Sequence, residues 1–573
     1  MKILSVYPWT HISSAALMVD GKIICGSAEE RFNKVKWSTE FPIKAAEWCL
    51  KYANLTWKDL DYIAIPWNPA HNIHASNNRW DSTMVWRGQM LSNIPSKIMK
   101  ASVDDTLGTK VPSQMETSFG TTKIVYLNHH DCHAASSIYC SPFKECDYLT
   151  IDGHGEIETC NMGSFSNGKV NKKLSIIYPH SVGLFYGAFT DFLGFIPDKD
   201  EWKTMALASS SFKKNKYDNL ISKVYSLNKK GFEIDLSYFD YYLFDKRPNF
   251  YNQKFISLFG EPRSKKNTKL LSKHYEIAGA LQRAFEKIVF HLLKITKEKG
   301  SNKKNIVISG GAAMNCVFNG LLDKNPIYKN NFIPPWPDDI GVTIGALYLL
   351  NSQKNKKKVI PKRIRSAYLG PSYSESEIEN TLKKYKLKYS KPKNIEKYIA
   401  KKISEKKLIG WFQGRMEFTH RALGNRSILG DPRSANVKDL INKAVKYREN
   451  FRPFAPAVME EFSHQIFDLK KSAKVDFMEK TVQVKKNWQK TLPAITHVDN
   501  SARVQTVSKS YNKKFHNLIN EFYKITKVPV LVNTSFNLNG QPIVCDPTDA
   551  VKTFYSCGLD ILAIGDFVVE KND

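Results

Sequence analysis

The alternation of apolar and polar residues predicts strands and helices that follow one another along the chain. Residues 2–7 are apolar and β-prone, and Asp20-Gly21 separates two further apolar runs, which is a strong signal for a two-residue hairpin. A similar unit comes later, where a strand at 148–151 leads into the turn 152–156 and strands around Asn167-Gly168. Two such units, each followed by helical sequence, predict an internal duplication.

Helix and strand patterns alternate again before residue 350. Residues 274–297 are predicted to form a long amphipathic helix, and 305–309 a buried strand that leads into Gly310-Gly311 at the start of a helix. Paired glycines at a helix N-terminus suit a nucleotide or phosphate, although they also serve close packing. The turn with Asp338-Asp339 then precedes a small-residue helix at 342–350.

The polar and basic stretch NSQKNKKKVIPKRIRS has no hydrophobic period and is predicted to be a linker. It divides the chain into a first domain at 1–350, a linker at 351–366 and a second domain at 367–573. The second domain is predicted to be α/β, with strands at 408–412, 528–533 and 559–564 and a helix at 437–446.

Composition is that of a folded globular protein of more than one domain, with 573 residues, 42% of them hydrophobic and 12% aromatic. No apolar run reaches the roughly 20 residues of a membrane span, and the N-terminus lacks the pattern of a signal peptide. The nine cysteines form no CxxC pair. We therefore expect reduced thiols, a cytoplasmic location and no zinc ribbon.

The charge is strongly positive, since 85 Lys and Arg residues against 55 Asp and Glu residues give a net charge of +30. Such an excess is typical of a protein with a polyanionic partner such as nucleic acid. The alternative is a solubilising lysine-rich surface with pockets for phosphorylated small substrates.

His129 and His133 are four residues apart at the start of a predicted helix. Residues i and i+4 share one helix face, so both imidazoles can reach one metal ion. A third ligand must come from far along the chain, and the Asp338-Asp339 turn could supply a carboxylate. The alternative is a helix start whose histidines only cap or stack.

Basic residues gather between the strands of the second domain, beside short turns in apolar sequence. Arginines in such places grip carboxylate or phosphate bidentately. Surface ion pairs are the alternative, and few acidic residues lie nearby to form them. The basic set comprises Arg415, Arg421, Arg426, Lys446, Arg448, Arg452 and Arg503.

Motifs along nearly the whole chain resemble one family, the O-carbamoyltransferases of the nodulation-protein-U and antibiotic-biosynthesis type. The longest are GRMEFTHRALGNRSILGDPR and INKAVKYRENFRPFAPAV. The others include EERFNKVK, HHDCHAA, DGHGE, DEWKTMALAS, GGAAMNC, DDIG, THVDNSARVQTV and VNTSFNLNGQPI.

The resemblance implies a fold and a two-step reaction. It implies a duplicated actin/Hsp70-like ATPase-fold domain, similar to the enzyme of tRNA threonylcarbamoyladenosine synthesis, followed by a YrdC-like α/β domain. In the C-terminal domain carbamoyl phosphate and ATP yield a carbamoyladenylate. The N-terminal domain then moves the carbamoyl group onto an acceptor hydroxyl. The implied cofactor is Fe²⁺, with Mg²⁺ or Mn²⁺ as alternatives, on His129, His133 and Asp339; Asp338 ranks second.

Roles carry over from the resemblance residue by residue. His11 is the candidate general base, and Arg415, Arg421, Lys446 and Arg503 are the catalytic candidates for the first step. The candidates for binding phosphates or the carbamoyl amide are Arg426, Ser427, Arg448, Arg452, Asn533 and Ser535. The candidate nucleotide contacts are Glu201, Lys203, Gly310, Gly311 and Asn315.

Two departures from the family pattern stand out. The family's His-Asp-Ala-Ser becomes His11-Ile12-Ser13-Ser14, so the role of the missing aspartate is open. The family's Gly-Pro in EFGPRALG becomes Thr419-His420, which changes a turn beside Arg421.

The resemblance implies several acceptor classes, among which the charge favours DNA. We expect the hydroxymethyl group of 5-hydroxymethylcytosine in DNA, as in phage-associated relatives acting in a host cytoplasm. Basic stretches at 96–100, 210–217 and 262–274 interleave with aromatic residues that suit base stacking. These aromatics are Trp80, Trp86, Trp202, Tyr238, Tyr241 and Tyr242. The alternatives are a sugar or antibiotic hydroxyl and tRNA threonylcarbamoyl transfer; a binding protein without activity fits poorly with the intact ligand and arginine set.

Overall fold

The computed structural model describes residues 1–8, 12–68, 113–117, 120–211, 213–243, 249–265, 269–302, 304–324, 327–355, 359–446 and 454–571. For residues 113–117, 120, 121, 444 and 446 this covers the backbone only.

The strands of the first 350 residues are β1 (Lys2–Tyr7), β2 (Ser14–Val19), β3 (Lys22–Ala28), β4 (Tyr62–Ile65), β5 (Ser113–Thr117), β6 (Gly120–Tyr126), β7 (Cys146–Ile151), β8 (Glu158–Ser166), β9 (Lys169–Ile177), β10 (Tyr225–Asn228), β11 (Gly231–Ile234), β12 (Asn305–Ser309) and β13 (Asn330–Phe332). Those of the remainder are β14 (Ile409–Phe412), β15 (Arg426–Gly430), β16 (Ala455–Met459), β17 (Thr481–Gln483), β18 (Ser501–Arg503), β19 (Gln505–Val507), β20 (Val530–Ser535), β21 (Ile561–Ile564) and β22 (Phe567–Glu570).

The helices up to residue 354 are α1 (Glu30–Asn33), α2 (Ile43–Tyr52), α3 (His129–Cys140), α4 (Val182–Phe192), α5 (Glu201–Ala208), α6 (Lys216–Ile221), α7 (Gln253–Phe259), α8 (Ser272–Lys299), α9 (Cys316–Leu321) and α10 (Ile340–Lys354). Those of the remainder are α11 (Glu375–Lys384), α12 (Ile395–Ser404), α13 (Asn436–Ile441), α14 (Ser463–Ile466), α15 (Lys486–Gln489), α16 (Lys513–Thr526) and α17 (Pro547–Tyr555). A π-helical turn at Asn442–Lys446 follows α13.

The chain forms two compact units. Unit 1 comprises Met1–Cys25 and Phe41–Ile364, and unit 2 comprises Gly26–Glu40 and Arg365–Asp573. The segment 26–40, which the sequence placed in the first domain, thus belongs with the C-terminal residues.

The stretch expected to be a linker is partly structured. Its first residues, 351–354, form the last turn of α10. Further on, the backbone N–H groups of Lys362 and Ile364 donate to the carbonyls of Tyr139 and Cys140. The chain crosses from unit 1 to unit 2 after Ile364.

Unit 1 contains the predicted duplication. One sheet has the order β3-β2-β1-β4-β6-β5, and the other has the order β13-β12-β7-β8-β9. In the first sheet β2 is antiparallel to β1, β4 lies on the other side of β1 and is parallel to it, and β6 is parallel to β4. In the second sheet β8 is antiparallel to β7, β12 lies on the other side of β7 and is parallel to it, and β13 is parallel to β12. The edge strand β5 is an addition to the first sheet. This repeat is the arrangement expected of a duplicated actin/Hsp70-like ATPase fold.

Both predicted hairpin turns have the backbone that their residues favour. Asp20 and Gly21 have φ of 48° and 76°, and Asn167 and Gly168 have φ of 54° and 78°. Type I′ turns require positive φ at both central residues, a conformation that Asn, Asp and Gly tolerate best. The residues of the two turns are therefore enough to favour both hairpins without help from distant contacts.

Helices α3 and α10 pack closely in unit 1. A side chain on Gly345 of α10 would place its Cβ 1.8 Å from the carbonyl oxygen of Cys132, so only glycine permits this approach. The close contact brings the start of α10, which follows Asp339, to the histidine face of α3.

Unit 2 is α/β, as predicted. Its seven-stranded sheet has the order β19-β16-β20-β15-β14-β21-β22, with parallel and antiparallel pairs. Trp411 of β14, Ile399 of α12 and Phe515 of α16 belong to one buried core. Strands β17 and β18 form a separate antiparallel pair.

Among the described residues no helix combines the length and the apolar character needed to cross a membrane. Each of the nine cysteines is a buried thiol.

Candidate functional site

His129, His133 and Asp339, the three predicted metal ligands, lie together in unit 1. The Nε2 atoms of His129 and His133 are 3.1 Å apart, and each lies 3.5 Å from Asp339 Oδ1. Both imidazoles are fully buried. The i, i+4 spacing on α3 therefore does bring the two rings to one point.

Asp152 is a fourth member of this cluster. Its Oδ2 lies 3.1 Å from His129 Nε2 and 3.0 Å from His133 Nε2. One ligand atom from each of the four side chains lies within 4.8 Å of the other three. Asp152 was not among the ligands predicted from the sequence; its position directly after β7, beside the end of β12, was the available signal for a ligand.

A second layer of groups orients this cluster, which we call the His2Asp2 cluster. His129 Nδ1 lies 3.3 Å from the carbonyl of Pro66, and the Tyr7 hydroxyl donates to Asp339 Oδ2 at 3.1 Å. Such outer contacts fix ring orientation and tautomer in metal sites.

Backbone groups hold the second oxygen of Asp152. The N–H groups of Gly153 and Gly311 donate to Asp152 Oδ1 at 2.8 and 3.0 Å. Oδ2 is left to face the imidazoles. The paired glycines thus connect directly to the His2Asp2 cluster.

Hydrogen bonds and charges within the His2Asp2 cluster shift the pKa values of its histidines and carboxyl groups. Burial alone would lower the pKa of His129, but hydrogen bonds and charges from Asp152 and Asp339 hold that pKa well above its ordinary value. The pKa of His133 shifts the same way. Despite burial, the two imidazoles hold the pKa of the Asp152 carboxyl well below its usual range. The carboxylates of Asp152 and Asp339 thus favour protonated imidazoles, and a cation that binds here must displace those imidazole protons.

Glu156 anchors the start of α3. Its buried carboxylate accepts from the backbone N–H of Asn68 at 2.6 Å and from that of His129 at 3.0 Å. A carboxylate at a helix N-terminus satisfies free N–H groups and the helix dipole. Burial nevertheless raises the pKa of Glu156 to about 7. His129 is therefore fixed through its backbone as well as its ring.

The donor set fits a divalent transition metal. Two imidazole nitrogens and two carboxylate oxygens converge in a buried space, and such mixed N/O ligands suit Fe²⁺, Mn²⁺ or Zn²⁺. The second-ranked candidate, Asp338, is outside this group of four.

Gly310 and Gly311 lie where the sequence predicted, directly after β12. Gly310 has φ of 91°, and a Cβ there would lie 2.1 Å from the carbonyl oxygen of Ile151. A 3₁₀ turn at Gly311–Met314 precedes α9, in place of a helix that starts at the glycines. Here the glycines permit close backbone packing at the edge of the cluster.

Asn315 caps α9 and pairs with Gln282 of α8. Asn315 Nδ2 donates to Gln282 Oε1 at 2.9 Å, and Gln282 Nε2 donates to Asn315 Oδ1 at 3.1 Å. The Tyr186 hydroxyl also donates to Gln282 Oε1, at 3.2 Å. The amide of Asn315 is thus held in a fixed orientation beside α4 and α8.

Glu201 and Lys203 share the first turn of α5. Glu201 Oε1 accepts from the N–H of Asp198 at 2.7 Å, and Lys203 pairs with Asp200 at 2.9 Å. Burial, with the charge of Asp198, raises the pKa of Glu201 to about 8. A Cβ on Gly187 of α4 would lie 3.6 Å from Glu201 Oε1, so Glu201 lies beside α4, which also contributes Tyr186 to the Asn315–Gln282 pair.

In unit 2 the loop from Arg415 to Asn425 is closed by Glu417. Glu417 Oε1 accepts from the N–H groups of Leu423 and Asn425 at 2.8 and 2.9 Å. Arg421 Nη1 donates to the carbonyl of Phe477 at 2.9 Å. Arg415 donates to the carbonyls of Leu369 and Gly370.

Arg426 differs from the expectation of a substrate contact. It is fully buried, and its guanidinium lies 3.6 Å from the centre of the Phe412 ring. Its N–H groups donate to the carbonyls of Gln413, Gly414, Asn425 and Pro371. Since these donors serve backbone carbonyls, the position of Arg426 is that of a residue that holds the loop together.

Ser427, Asn533 and Ser535 lie on the paired strands β15 and β20, where Ser427 faces Ser535. Asn533 Nδ2 donates to the carbonyl of Ala422 at 3.1 Å and to Gln505 Oε1 at 2.9 Å. Its buried Oδ1 has no donor among the residues that the structure describes. This oxygen is a candidate acceptor for an amide N–H.

Arg503 ends β18 opposite Thr481 of β17. No ion pair joins its guanidinium to a described residue. The site residues His11, Arg448 and Arg452 lie outside the described residues, as do Trp80, Trp86 and the basic stretch 96–100; the side chain of Lys446 is also outside them. Tyr241, expected to stack on bases, is buried, with its hydroxyl donating to the carbonyl of Pro179.

Solved structures resemble part of the chain only distantly. Component A of the (R)-2-hydroxyglutaryl-CoA dehydratase of Acidaminococcus fermentans aligns with 61% of this chain and 97% of its own, at 13% identity and a TM-score of 0.32. HypF of T. kodakarensis aligns with 61% of this chain and 47% of its own, at 12% identity and a TM-score of 0.29.

Protein sequences give closer matches. An uncharacterized protein of Synechocystis sp. is 34% identical over 99% of this chain and 96% of its own length. Nodulation protein NolNO of Sinorhizobium fredii is 33% identical over 98% of this chain and 79% of its own. The family models named Carbamoyltransferase N-terminus and Carbamoyltransferase C-terminus match residues 2–348 and 400–571. The chain therefore belongs to the carbamoyltransferase family and is a carbamoyltransferase.

Proposed function

We propose that the protein is an ATP-dependent O-carbamoyltransferase that works through a carbamoyladenylate. Unit 2 forms the adenylate, and unit 1 transfers the carbamoyl group to an acceptor hydroxyl. The observation that carries the proposal is the buried His2Asp2 cluster inside a chain that matches both carbamoyltransferase family models.

The first step joins two polyanions. Hydrolysis of carbamoyl phosphate gives carbamate and phosphate, and a carbamate oxygen then attacks the α-phosphorus of ATP to release pyrophosphate. Arg415, Arg421 and Arg503 supply positive charge for the phosphates. Asn533 Oδ1, which is buried and has no donor among the described residues, accepts a hydrogen bond from the carbamoyl amide.

The second step takes place at the His2Asp2 cluster. His129, His133, Asp152 and Asp339 would hold the divalent ion, with Fe²⁺ as the expected metal. When bound, it supplies positive charge that stabilises the phosphate of the departing AMP. The acceptor oxygen attacks the carbamoyl carbon, the bond to the AMP oxygen breaks, and His11 takes the hydroxyl proton.

Nucleotide positioning falls to the surrounding residues of unit 1. Gly311 donates its N–H to Asp152 of the cluster, and Asn315, four residues further along, is held by Gln282. Glu201 and Lys203, both on α5, are the other two candidate contacts to the nucleotide. A buried site of this kind keeps water from the reactive carbamoyl carbon.

The favoured acceptor is the hydroxymethyl group of 5-hydroxymethylcytosine in DNA. The net charge of +30 favours a polyanionic acceptor. A sugar hydroxyl on a small molecule is the second candidate, because the chain resembles nodulation proteins along most of its length.

Mass spectrometry of the products tests the acceptor. The protein is incubated with ATP, carbamoyl phosphate and one of three acceptors: an oligonucleotide with hydroxymethylcytosine, the same oligonucleotide with cytosine, or a panel of sugars. We expect the mass of one carbamoyl group to be added to the first oligonucleotide alone. If a sugar gained the carbamoyl mass and the oligonucleotide did not, the acceptor would be a sugar hydroxyl and not DNA.

A further inference from the structure

Segment 26–40 contributes to unit 2 although Phe41–Ile364 separates it in the chain from the rest of that unit. The backbone N–H of Gly26 donates to the carbonyl of Leu369 at 3.1 Å, where the segment enters unit 2. Three consecutive charged residues at the start of α1 are then buried, since Glu29, Glu30 and Arg31 are 1%, 4% and 3% exposed. Charges are buried only when paired or bonded, so this segment has specific partners.

Two residues of the segment contact the turn before Arg421. Arg31 Nη2 donates to the carbonyl oxygen of Thr419 at 3.4 Å. The rings of Trp37 and His420 have centroids 5.4 Å apart. Both contacts fall on Thr419-His420, the dipeptide that replaces the Gly-Pro of the family pattern.

Glu30 joins the two contacting side chains. Its carboxylate pairs with Arg31 Nη1 at 2.9 Å, and its other oxygen accepts from the backbone N–H of Trp37 at 2.8 Å. The one buried carboxylate of Glu30 therefore holds both the Arg31 guanidinium and the backbone N–H of Trp37. A guanidinium held in this way loses little further freedom when it bonds a carbonyl.

A second anchor lies on the other side of α1. Lys34 forms an ion pair with Asp549 at the start of α17 and donates to the carbonyl of Arg31 at 2.7 Å. Phe32 packs against buried Met416 and Cys545. The segment is thus attached to α17 as well as to the Arg415–Asn425 loop.

We propose that Arg31 and Trp37 are positioning residues for the first reaction step. They hold Thr419-His420, while Glu417 and Phe477 hold neighbouring residues of the loop, so that the Arg421 guanidinium stays aimed at the phosphate of carbamoyl phosphate. A histidine in place of proline leaves the turn freer in its backbone. The Trp37 ring restores part of that restraint through ring contact.

This inference rests on the proposed function, because it assigns Arg421 to carbamoyl phosphate. The restraint on the backbone of residues 418–421 does not depend on the proposed function, because it exists whether or not the reaction is the one proposed. The test therefore combines a kinetic and a structural measurement on the full chain.

Four variants separate positioning from folding. Trp37→Ala removes the ring, Trp37→Phe keeps an aromatic ring, Arg31→Met removes the guanidinium, and Thr39→Ala changes an exposed neighbour as a matched control. Steady-state pyrophosphate release gives KM for carbamoyl phosphate and for ATP. Hydrogen–deuterium exchange follows the backbone amides of residues 418–421.

We expect Trp37→Ala and Arg31→Met to raise KM for carbamoyl phosphate by about tenfold or more, with KM for ATP changed less than about twofold. Amide exchange at 418–421 should rise in both, while Trp37→Phe and Thr39→Ala stay near the parent protein. Unchanged exchange and unchanged KM in Trp37→Ala and Arg31→Met would overturn the inference. A different outcome is that the parent protein releases no pyrophosphate while both variants still show raised exchange. That result would overturn the proposed function and the assignment of Arg421.

Discussion

His133 Nε2 and Asp152 Oδ2 lie 3.0 Å apart, and this contact joins helix α3 to the turn after strand β7. Asp339 approaches the same nitrogen from the start of α10, at 3.5 Å. Three separate elements thus meet at a single imidazole, and the metal prediction depends on all of them.

Asp152→Asn should weaken metal binding. The change removes a negative ligand oxygen but keeps nearly the same shape. We expect at least a tenfold loss of affinity, since even partners outside the ligand shell contribute about 10–100-fold. Metal content after dialysis, measured by plasma mass spectrometry, checks this result.

Asp338→Asn is the matched control, because Asp338 neighbours a ligand in the chain but lies outside the His2Asp2 cluster. It should keep its metal. Loss of metal in Asp338→Asn with retention in Asp152→Asn would reverse the ligand assignment.

Gly310→Ala should destabilise unit 1 severely. Gly310 and Gly260 both have positive φ with extended ψ, at 91° and 161° for the first and 82° and −175° for the second. A Cβ on Gly310 meets the Ile151 carbonyl at 2.1 Å, whereas a Cβ on Gly260 meets nothing within 4 Å.

Gly260→Ala therefore measures backbone strain alone, about 1–3 kcal/mol. Gly310→Ala adds the collision, so its thermal midpoint should fall by clearly more than that of Gly260→Ala. Equal shifts in differential scanning calorimetry would mean that the β7–β12 contact relaxes without cost.

Glu201→Gln should make the protein more stable at alkaline pH. Burial raises the pKa of Glu201 from 4.5 to about 8, so the folded state holds a proton that the unfolded chain releases above pH 4.5. The stability contributed by that proton is present below about pH 4.5 and is lost as pH rises through about 8.

The amide introduced by Glu201→Gln is neutral at every pH, and the variant avoids this loss. Its thermal midpoint should exceed that of the parent by about 3 °C or more at pH 9 and match it at about pH 4.5. The exposed Glu298→Gln should match the parent throughout. A midpoint difference for Glu201→Gln that grows toward acid pH would contradict the assignment.

Arg426→Met and Arg503→Met should have opposite effects. Removing the Arg426 guanidinium leaves buried carbonyls without donors, which we expect to cost about 3 kcal/mol or more in the free energy of unfolding. Arg503→Met should leave the thermal midpoint in place and raise KM for carbamoyl phosphate. If Arg426→Met kept its stability and raised that KM, Arg426 would be a substrate contact after all.

Much of the fold follows from local sequence. The strand at 305–309 and both hairpins are found where the apolar pattern and the Asp-Gly and Asn-Gly turns predict them. The helix from His129 is found as well. These elements depend on short-range propensity and turn chemistry, which a single sequence contains.

What depends on distant contacts could not be predicted. Asp152 becomes a candidate ligand only because β7 and β12 pair and end together. The Arg426 guanidinium is surrounded by carbonyls from separate stretches of chain, so its sequence motif resembles that of a phosphate contact. Segment 26–40 looks like a continuation of the first sheet, since β3 runs into it, and only tertiary contacts assign it to unit 2.

The division of labour between the two units is tested most directly by His129→Ala in a single reaction. Pyrophosphate release reports adenylate formation, and carbamoylated acceptor, measured by mass, reports transfer. We expect pyrophosphate release to stay within about twofold of the parent, while carbamoylated product falls by at least about a hundredfold. Equal loss of both signals, or retention of both, would contradict it.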